Sequence, residues 1–126
     1  MKLRIQHQLL FVTATIQHQG QSLQLEHVLI DTGSAATVFR VDRLLEVGIE
    51  YALTDELWRV RGVGGSEFVF TKKIDQLLAG DLFATDLVIE VGAMDYGFEL
   101  DGILGLDFLM VNQAVIDLET MTLHRA

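Results

Sequence analysis

The chain has no cysteine, no proline, only 9 lysines and arginines against 18 aspartates and glutamates, and no apolar run that approaches the length of a membrane span. Without cysteine there is no disulfide framework and no thiolate chemistry. The formal net charge of −9 repels phosphate backbones and anionic membrane surfaces. Lys72-Lys73 and Arg59 with Arg61 are too few to form a basic face, so neither nucleic acid nor a membrane is expected as a partner. The longest apolar stretches are Leu9 to Val12, Val28 to Ile30, and Ile103 to Val111, the last broken by Gly105 and Asp107. All stop well short of the roughly 20 residues a spanning helix needs. Met1-Lys2-Leu3-Arg4-Ile5 begins a charged alternation rather than a signal peptide. These absences lead to the expectation of a soluble, cytoplasmic protein, although other compartments also accept a chain without cysteine. The missing proline carries no functional reading.

What is present suits one folded domain covering residues 1–126, with half of its residues apolar and no repeat, linker or low-complexity segment. Leu3 to Ile16 and Leu23 to Ile30 read as extended, alternating runs around a turn at Gln17 to Gln21. Val41, Leu44, Leu45 and Gly48 change to helical spacing, and Gly48 suits the left-handed residue past a helix end. Trp58-Arg59-Val60 and Phe68-Val69-Phe70 form the arms of a hairpin around a glycine-rich tip. Ile74 to Leu78 and Leu82 to Val91 read as further strands, Leu106 to Val111 as a second short helix ended by Asn112, and Val115 to Leu123 as a final strand pair. The fold expected is mainly β and barrel-like, with two short helices.

Asp31-Thr32-Gly33 stands directly after the apolar run Val28-Leu29-Ile30. An acid ending a buried strand is costly unless other groups support it. Gly33 lets the backbone turn sharply, and Thr32 adds a hydroxyl that donates and accepts. The triplet alone is also an ordinary strand-end turn. The run Arg61-Gly62-Val63-Gly64-Gly65-Ser66 lacks the Lys-Ser/Thr and following helix of a phosphate loop. Asp81, Asp86, Asp95 and Asp101 do not form the alternating ladder of a calcium loop, and the four histidines show no ligand spacing. No metal or cofactor is expected. Nothing like a nucleophile elbow surrounds Ser34.

Taken with Gly102-Ile103-Leu104-Gly105-Leu106-Asp107-Phe108-Leu109, the chain resembles the retropepsin-like aspartic proteases, single-domain relatives of pepsin. In that family an apolar pair precedes Asp-Thr-Gly, as Leu29-Ile30 do here. Two apolar residues and a glycine near the far end close a loop around the catalytic strand, matching Ile103-Leu104-Gly105. Between them lies a glycine-rich hairpin, the flap, at the place of Gly62, Val63, Gly64 and Gly65. The resemblance implies a retropepsin-like acid protease barrel with a β-hairpin flap. It makes Asp31 the catalytic acid, with Thr32, Gly33 and Ser34 supporting its loop. Thr32 would bond across to a second chain and Ser34 to the outer carboxylate oxygen. Gly62, Val63, Gly64, Gly65 and Ile103 would meet substrate; plain core packing is an equal reading for Ile103.

Pepsin-like enzymes carry two Asp-Thr/Ser-Gly segments, and this chain carries one. The resemblance therefore implies a homodimer with both Asp31 residues at a twofold axis, and terminal segments such as Leu3 to Ile5 or Leu123 contributing to the interface. Two adjacent carboxylates share one proton over an acidic range. One then acts as base on a water while the other polarises the scissile carbonyl of a peptide or protein substrate. The expected function is an aspartic endopeptidase. The alternative is a retropepsin-like module that dimerises or binds peptides with little turnover. The chain departs from the retroviral pattern at Leu106, where those enzymes have an arginine bracing the loop, and at the inserted helix of Val41 to Val47.

Overall fold

The alternating runs become strands because each has one apolar face to bury. In the computed structural model, which describes residues 1–62 and 65–126, the chain forms ten strands: β1 (Arg4–Gln6), β2 (Leu9–His18), β3 (Gln21–Ile30), β4 (Val38–Arg40), β5 (Leu57–Gly62), β6 (Gly65–Ala79), β7 (Leu82–Gly92), β8 (Gly102–Leu104), β9 (Ala114–Asp117) and β10 (Thr122–Arg125). Two short helices, α1 (Val41–Leu44) and α2 (Leu106–Val111), interrupt them. Eight strands share one sheet in the order β1-β2-β3-β8-β4-β7-β6-β5, and a further pairing of β2 with β6 closes its middle strands into a ring. β9 and β10 form a separate hairpin, onto which the backbone of Leu3 adds by donating to Met121. The protein is mainly β, as expected. No helix among the described residues is long and apolar enough to cross a membrane.

Two expected boundaries differ. The run Leu3 to Ile16 breaks at His7 and Gln8, whose positive φ values of 53° and 62° turn β1 back on β2. Neither residue is a glycine, so the turn carries no composition signal. Ile74 to Leu78 is not a separate strand but the continuation of the hairpin arm, and β6 runs unbroken for 15 residues. It pairs with β5 at its start, β7 along its length and β2 near its end, so nothing interrupts it. The helix expected over Val41 to Val47 forms as α1 followed by a 3-10 turn, Leu45–Val47, and ends at Gly48 in the left-handed region with φ 76°.

The ring encloses a core of Val12, Ile16, Leu25, Phe39, Ile74, Leu77, Ile89 and Phe108, all fully buried. A smaller cluster of Phe11, Val38, Met94, Leu100 and Ile103 lies on the other side of β8. Each large side chain removed from water contributes on the order of 2 kcal/mol.

One buried charge ties three elements together. Asp101, 4% exposed at its side chain, takes the guanidinium of Arg43 at 2.8 Å on Oδ1 and the His27 backbone N–H at 3.0 Å on Oδ2. Its own backbone bonds His27 and Arg40, so α1, β3 and the entry to β8 meet at one carboxylate. Truncation leaves the His27 backbone donor without its acceptor and takes from Arg43 one of its two carboxylate partners, the other being Glu46. Asp101→Ala should therefore lower the unfolding free energy by about 2–3 kcal/mol, measured by urea titration. Asp101→Asn, which keeps an acceptor for His27, should cost less.

Candidate functional site

The most unusual feature of the sheet is the place of β8. It lies between β3 and β4, parallel to β3 through Val28↔Gly102, Leu29↔Ile103 and Ile30↔Leu104, and antiparallel to β4 through Val38↔Ile103 and Phe39↔Gly102. The segment joining β3 to β4, residues 31–37, therefore loops around the end of β8. Asp31 sits where that loop begins, and its backbone N–H donates to the Leu104 carbonyl at 3.1 Å.

Within the loop, Gly33 N–H donates to Asp31 Oδ1 at 2.9 Å and Ser34 N–H to the Asp31 carbonyl at 3.2 Å. This turn orients the carboxylate through its own backbone. Asp31 is half-buried, while Thr32 and Gly33 are exposed. The Ser34 hydroxyl donates to the Ala36 carbonyl at 2.7 Å, so its single proton braces the loop rather than the Asp31 carboxylate. Gly105 closes the loop from the other side. A Cβ there would stand 2.4 Å from the Ala36 carbonyl oxygen and 2.9 Å from that of Ser34, so only glycine permits the approach. Leu106 N–H then donates to Ser34 at 2.8 Å and Asp107 N–H to Ala35 at 3.3 Å.

The far end of the loop is held by a residue the sequence reading did not select. Thr37 is fully buried. Its hydroxyl donates to Asp107 Oδ1 at 2.7 Å and accepts the Gly105 N–H at 3.1 Å. Its backbone N–H donates to Asp107 Oδ2 at 3.1 Å, and its carbonyl accepts Glu90 N–H at 2.9 Å. The brace is completed by Asp107, two positions after Gly105. Thr37 and Asp107 are separated by 70 residues in the chain, so no local pattern announces the pair.

Ile103 is 9% exposed and packs in the smaller apolar cluster beside Asp31's strand. Gly62 and Gly65 pair at the end of the β5–β6 hairpin; Val63 and Gly64 lie outside the described residues. Glu67 ties the hairpin to the segment between β7 and β8: its carboxylate takes Met94 N–H at 3.1 Å and the Tyr96 hydroxyl at 3.2 Å. Burial raises the Tyr96 hydroxyl above the usual tyrosine value, and the negative charges of Glu67 and Asp31 add to the rise.

An apolar groove of about 310 Å³ opens beside Thr32, lined by Leu106, Leu109, Met110, Ala114 and Ile116. Met110 is 68% exposed. Leu3 and Leu123, by contrast, are buried within the chain's own fold. A polar hollow of about 420 Å³ among Gln17, His18, Asp75 and Gln76 contains none of the Asp31 loop. Among the described residues no three histidine or carboxylate side chains converge as metal ligands. No family model matches the chain, and neither does any curated protein.

Two predictions follow from the loop's supports. Thr37→Val keeps the shape but removes the hydroxyl, leaving the Gly105 N–H without its acceptor and taking one of three donors from Asp107. It should destabilise the fold by about 1–3 kcal/mol in chemical denaturation. Glu90, half-buried, is raised above its ordinary value of 4.5, first by burial and then by the like charges of Asp107 and Glu67. The folded state therefore binds this proton more tightly than the unfolded chain. Its ionised form costs stability above the raised value, and the cost disappears as pH falls below the ordinary one. Thermal melts should show Glu90→Gln more stable than wild type at pH 7 and matched with it near pH 4.

Proposed function

We propose that the protein is an aspartic endopeptidase of the retropepsin-like kind, acting as a homodimer in which Asp31 of each chain supplies half of a catalytic dyad. The observation that carries this reading is the insertion of β8 between β3 and β4, which holds the Asp31 turn against Gly105. A plain strand-end turn needs no strand brought from 70 residues away to brace it. Here the backbone of Asp31, Ser34, Ala35 and Thr37 is tied to residues 104–107. That rigidity matters to the chemistry, because a reacting carboxylate displaced by an ångström loses much of its rate advantage.

The mechanism follows from two such turns facing one another across a twofold axis. Gly33 N–H fixes Oδ1 of each Asp31 and leaves Oδ2 for the partner carboxylate and a water. Two carboxylates at that separation hold one proton between them, since double ionisation sets like charges in contact. The ionised oxygen takes a proton from the water as it attacks the peptide carbonyl, and the protonated member donates to the carbonyl oxygen. A tetrahedral diol forms, and its collapse returns the proton to the leaving amine. No covalent acyl-enzyme is involved.

The apolar groove beside Thr32 supports the pairing of chains. Met110 and Leu106 are exposed there next to the residue that would cross the axis. A second copy would cover this surface with the same surface of its own, as twofold symmetry requires.

Sedimentation at micromolar concentration should show a two-chain species. Peptide cleavage should be greatest below neutrality and decline as the pair becomes doubly ionised. Asp31→Asn keeps the shape and removes the base, so turnover should fall by roughly 10³-fold while the dimer persists. A monomer at every concentration leaves the mechanism without its second carboxylate. A dimer that cleaves no peptide from a diverse library between about pH 3 and 8, the range around which such dyads titrate, is a binding module instead.

A further inference from the structure

At the end of β3 farthest from Asp31, β2 parts from β6 and the polar hollow opens where it leaves. β2 pairs with β6 as far as Gln17↔Gln76, then turns back into β3 through Gln19 and Gly20, both left-handed at φ 50° and 80°. The Asp75 carboxylate holds this turn by accepting the Gln19 N–H at 2.8 Å on Oδ2. The pattern of β6 changes at the same place. Ile74 and Leu77 are both fully buried, a spacing that strict alternation does not give. Between them the β6–β7 register passes from Ile74↔Leu87 to Gln76↔Thr85 and omits Asp75 and Asp86, and Asp86 is left-handed at φ 52°. Asp75 and its neighbour Gln76 both line the hollow as a result.

The hollow's volume of about 420 Å³ falls within the roughly 300–1,000 Å³ of small-molecule sites. Gln17, Gln21, Ser22, Asp75, Gln76 and Thr85 line it together with His18 and Gly20, and no apolar side chain, lysine or arginine is among them. An apolar ligand gains nothing there, and an anion meets Asp75 with no lysine or arginine to offset it. Among the described residues no three side chains converge as metal ligands. The three carboxamides and the Ser22 and Thr85 hydroxyls make no hydrogen bond to other described residues, so their donors and their acceptors are both available. An organic cation would use the acceptors alone and leave the carboxamide N–H groups idle. A ligand hydroxyl donates and accepts at one atom, as these groups do. His18 Nδ1 is, among the described residues, the one buried side-chain nitrogen or oxygen without a partner. Such an atom calls for a group that the chain itself does not supply. We propose that this hollow is a binding site for a small neutral polyhydroxyl ligand of mono- or disaccharide size. Gln21 and Ser22 begin the strand whose far end leads into Asp31, roughly 30 Å away at about 3.3 Å per residue. The site is thus separate from the Asp31 loop and stands whether or not the chain cleaves peptides.

The test is amide NMR of the full chain titrated with glucose, galactose, N-acetylglucosamine, maltose and methyl glucoside to about 20 mM, well above a Kd of about 1 mM. Spermidine serves as the cationic probe. At least one sugar should give saturable shifts centred on Gln17 to Ser22, Asp75, Gln76 and Thr85. Gln76→Ala and Thr85→Val, on neighbouring strands, should each raise its Kd about threefold to tenfold, the loss of one hydrogen bond, with the thermal midpoint unchanged. If one variant fails to fold, the other decides. Methyl glucoside bound as tightly as glucose marks a site that takes sugars carried on a chain, and its exclusion marks a site for free sugars; either supports the proposal. Sugar shifts that neither variant weakens, or that centre elsewhere, overturn the assignment of the hollow. No saturable shift with any sugar overturns the proposal itself. Spermidine moving these amides while the sugars do not makes the hollow a cation site instead.

Discussion

Every polar group of Thr37 is spent on holding the Asp31 loop in place, and the geometry of the site depends on that one buried residue. Its hydroxyl joins the Gly105 N–H to the Asp107 carboxylate, its backbone N–H meets the same carboxylate, and its carbonyl meets Glu90. Three segments distant in sequence converge there: the Asp31 loop, the turn from β8 into α2, and β7. Because an unpaired buried donor or acceptor costs as much as a bond is worth, such a junction is made as a whole or abandoned as a whole. The loop therefore has one position, and Asp31, at its other end, inherits it. Gly105 allows the arrangement by letting two carbonyls come within reach of where a side chain would stand.

The treatment of charge separates structure from function. Asp101 is buried and fully answered by Arg43 and a backbone donor, as a carboxylate kept for the fold should be. Asp55, which takes Ala52 N–H and the Lys72 ammonium, is held below the usual aspartate range by them and anchors the segment before β5. Around Asp31 the pattern reverses. Burial first, then the charges of Asp107 and Glu67, raise the proton affinity of Glu90, and burial with the charges of Glu67 and Asp31 raises that of Tyr96. Concentrating like charge in this way costs stability. A fold accepts such a cost most readily where the groups have chemical work.

Much of this was legible from local pattern. The hairpin ending in Asp31, the arms around the glycine-rich tip, the left-handed Gly48 and the helix from Leu106 all follow from alternation, helical spacing and turn chemistry, which act over a few residues. What escaped was set at long range. The union of the Phe68 arm with Ile74 to Leu78 depends on β2 and β7 lying alongside, and the turn at His7 and Gln8 is imposed on residues that do not favour it. Thr37 with Asp107, Arg43 with Asp101, and Glu67 with Tyr96 are pairs whose members look ordinary alone. Ser34 shows the same limit: the resemblance suggests a bond to the Asp31 carboxylate, and only the folded loop reveals the acceptor at Ala36.

In the proposed mechanism one carboxylate per chain is half a catalyst. This is tested most directly by linking two copies of the chain in tandem through a flexible spacer, so that each molecule carries one intact Asp31 and one Asp31→Asn. Cleavage by purified monomeric tandem molecules is then compared with that of the tandem in which both copies are intact. If the dyad is shared, the single substitution abolishes turnover as completely as a double one. Half of the activity surviving would mean that each chain works alone, and the twofold mechanism would be wrong.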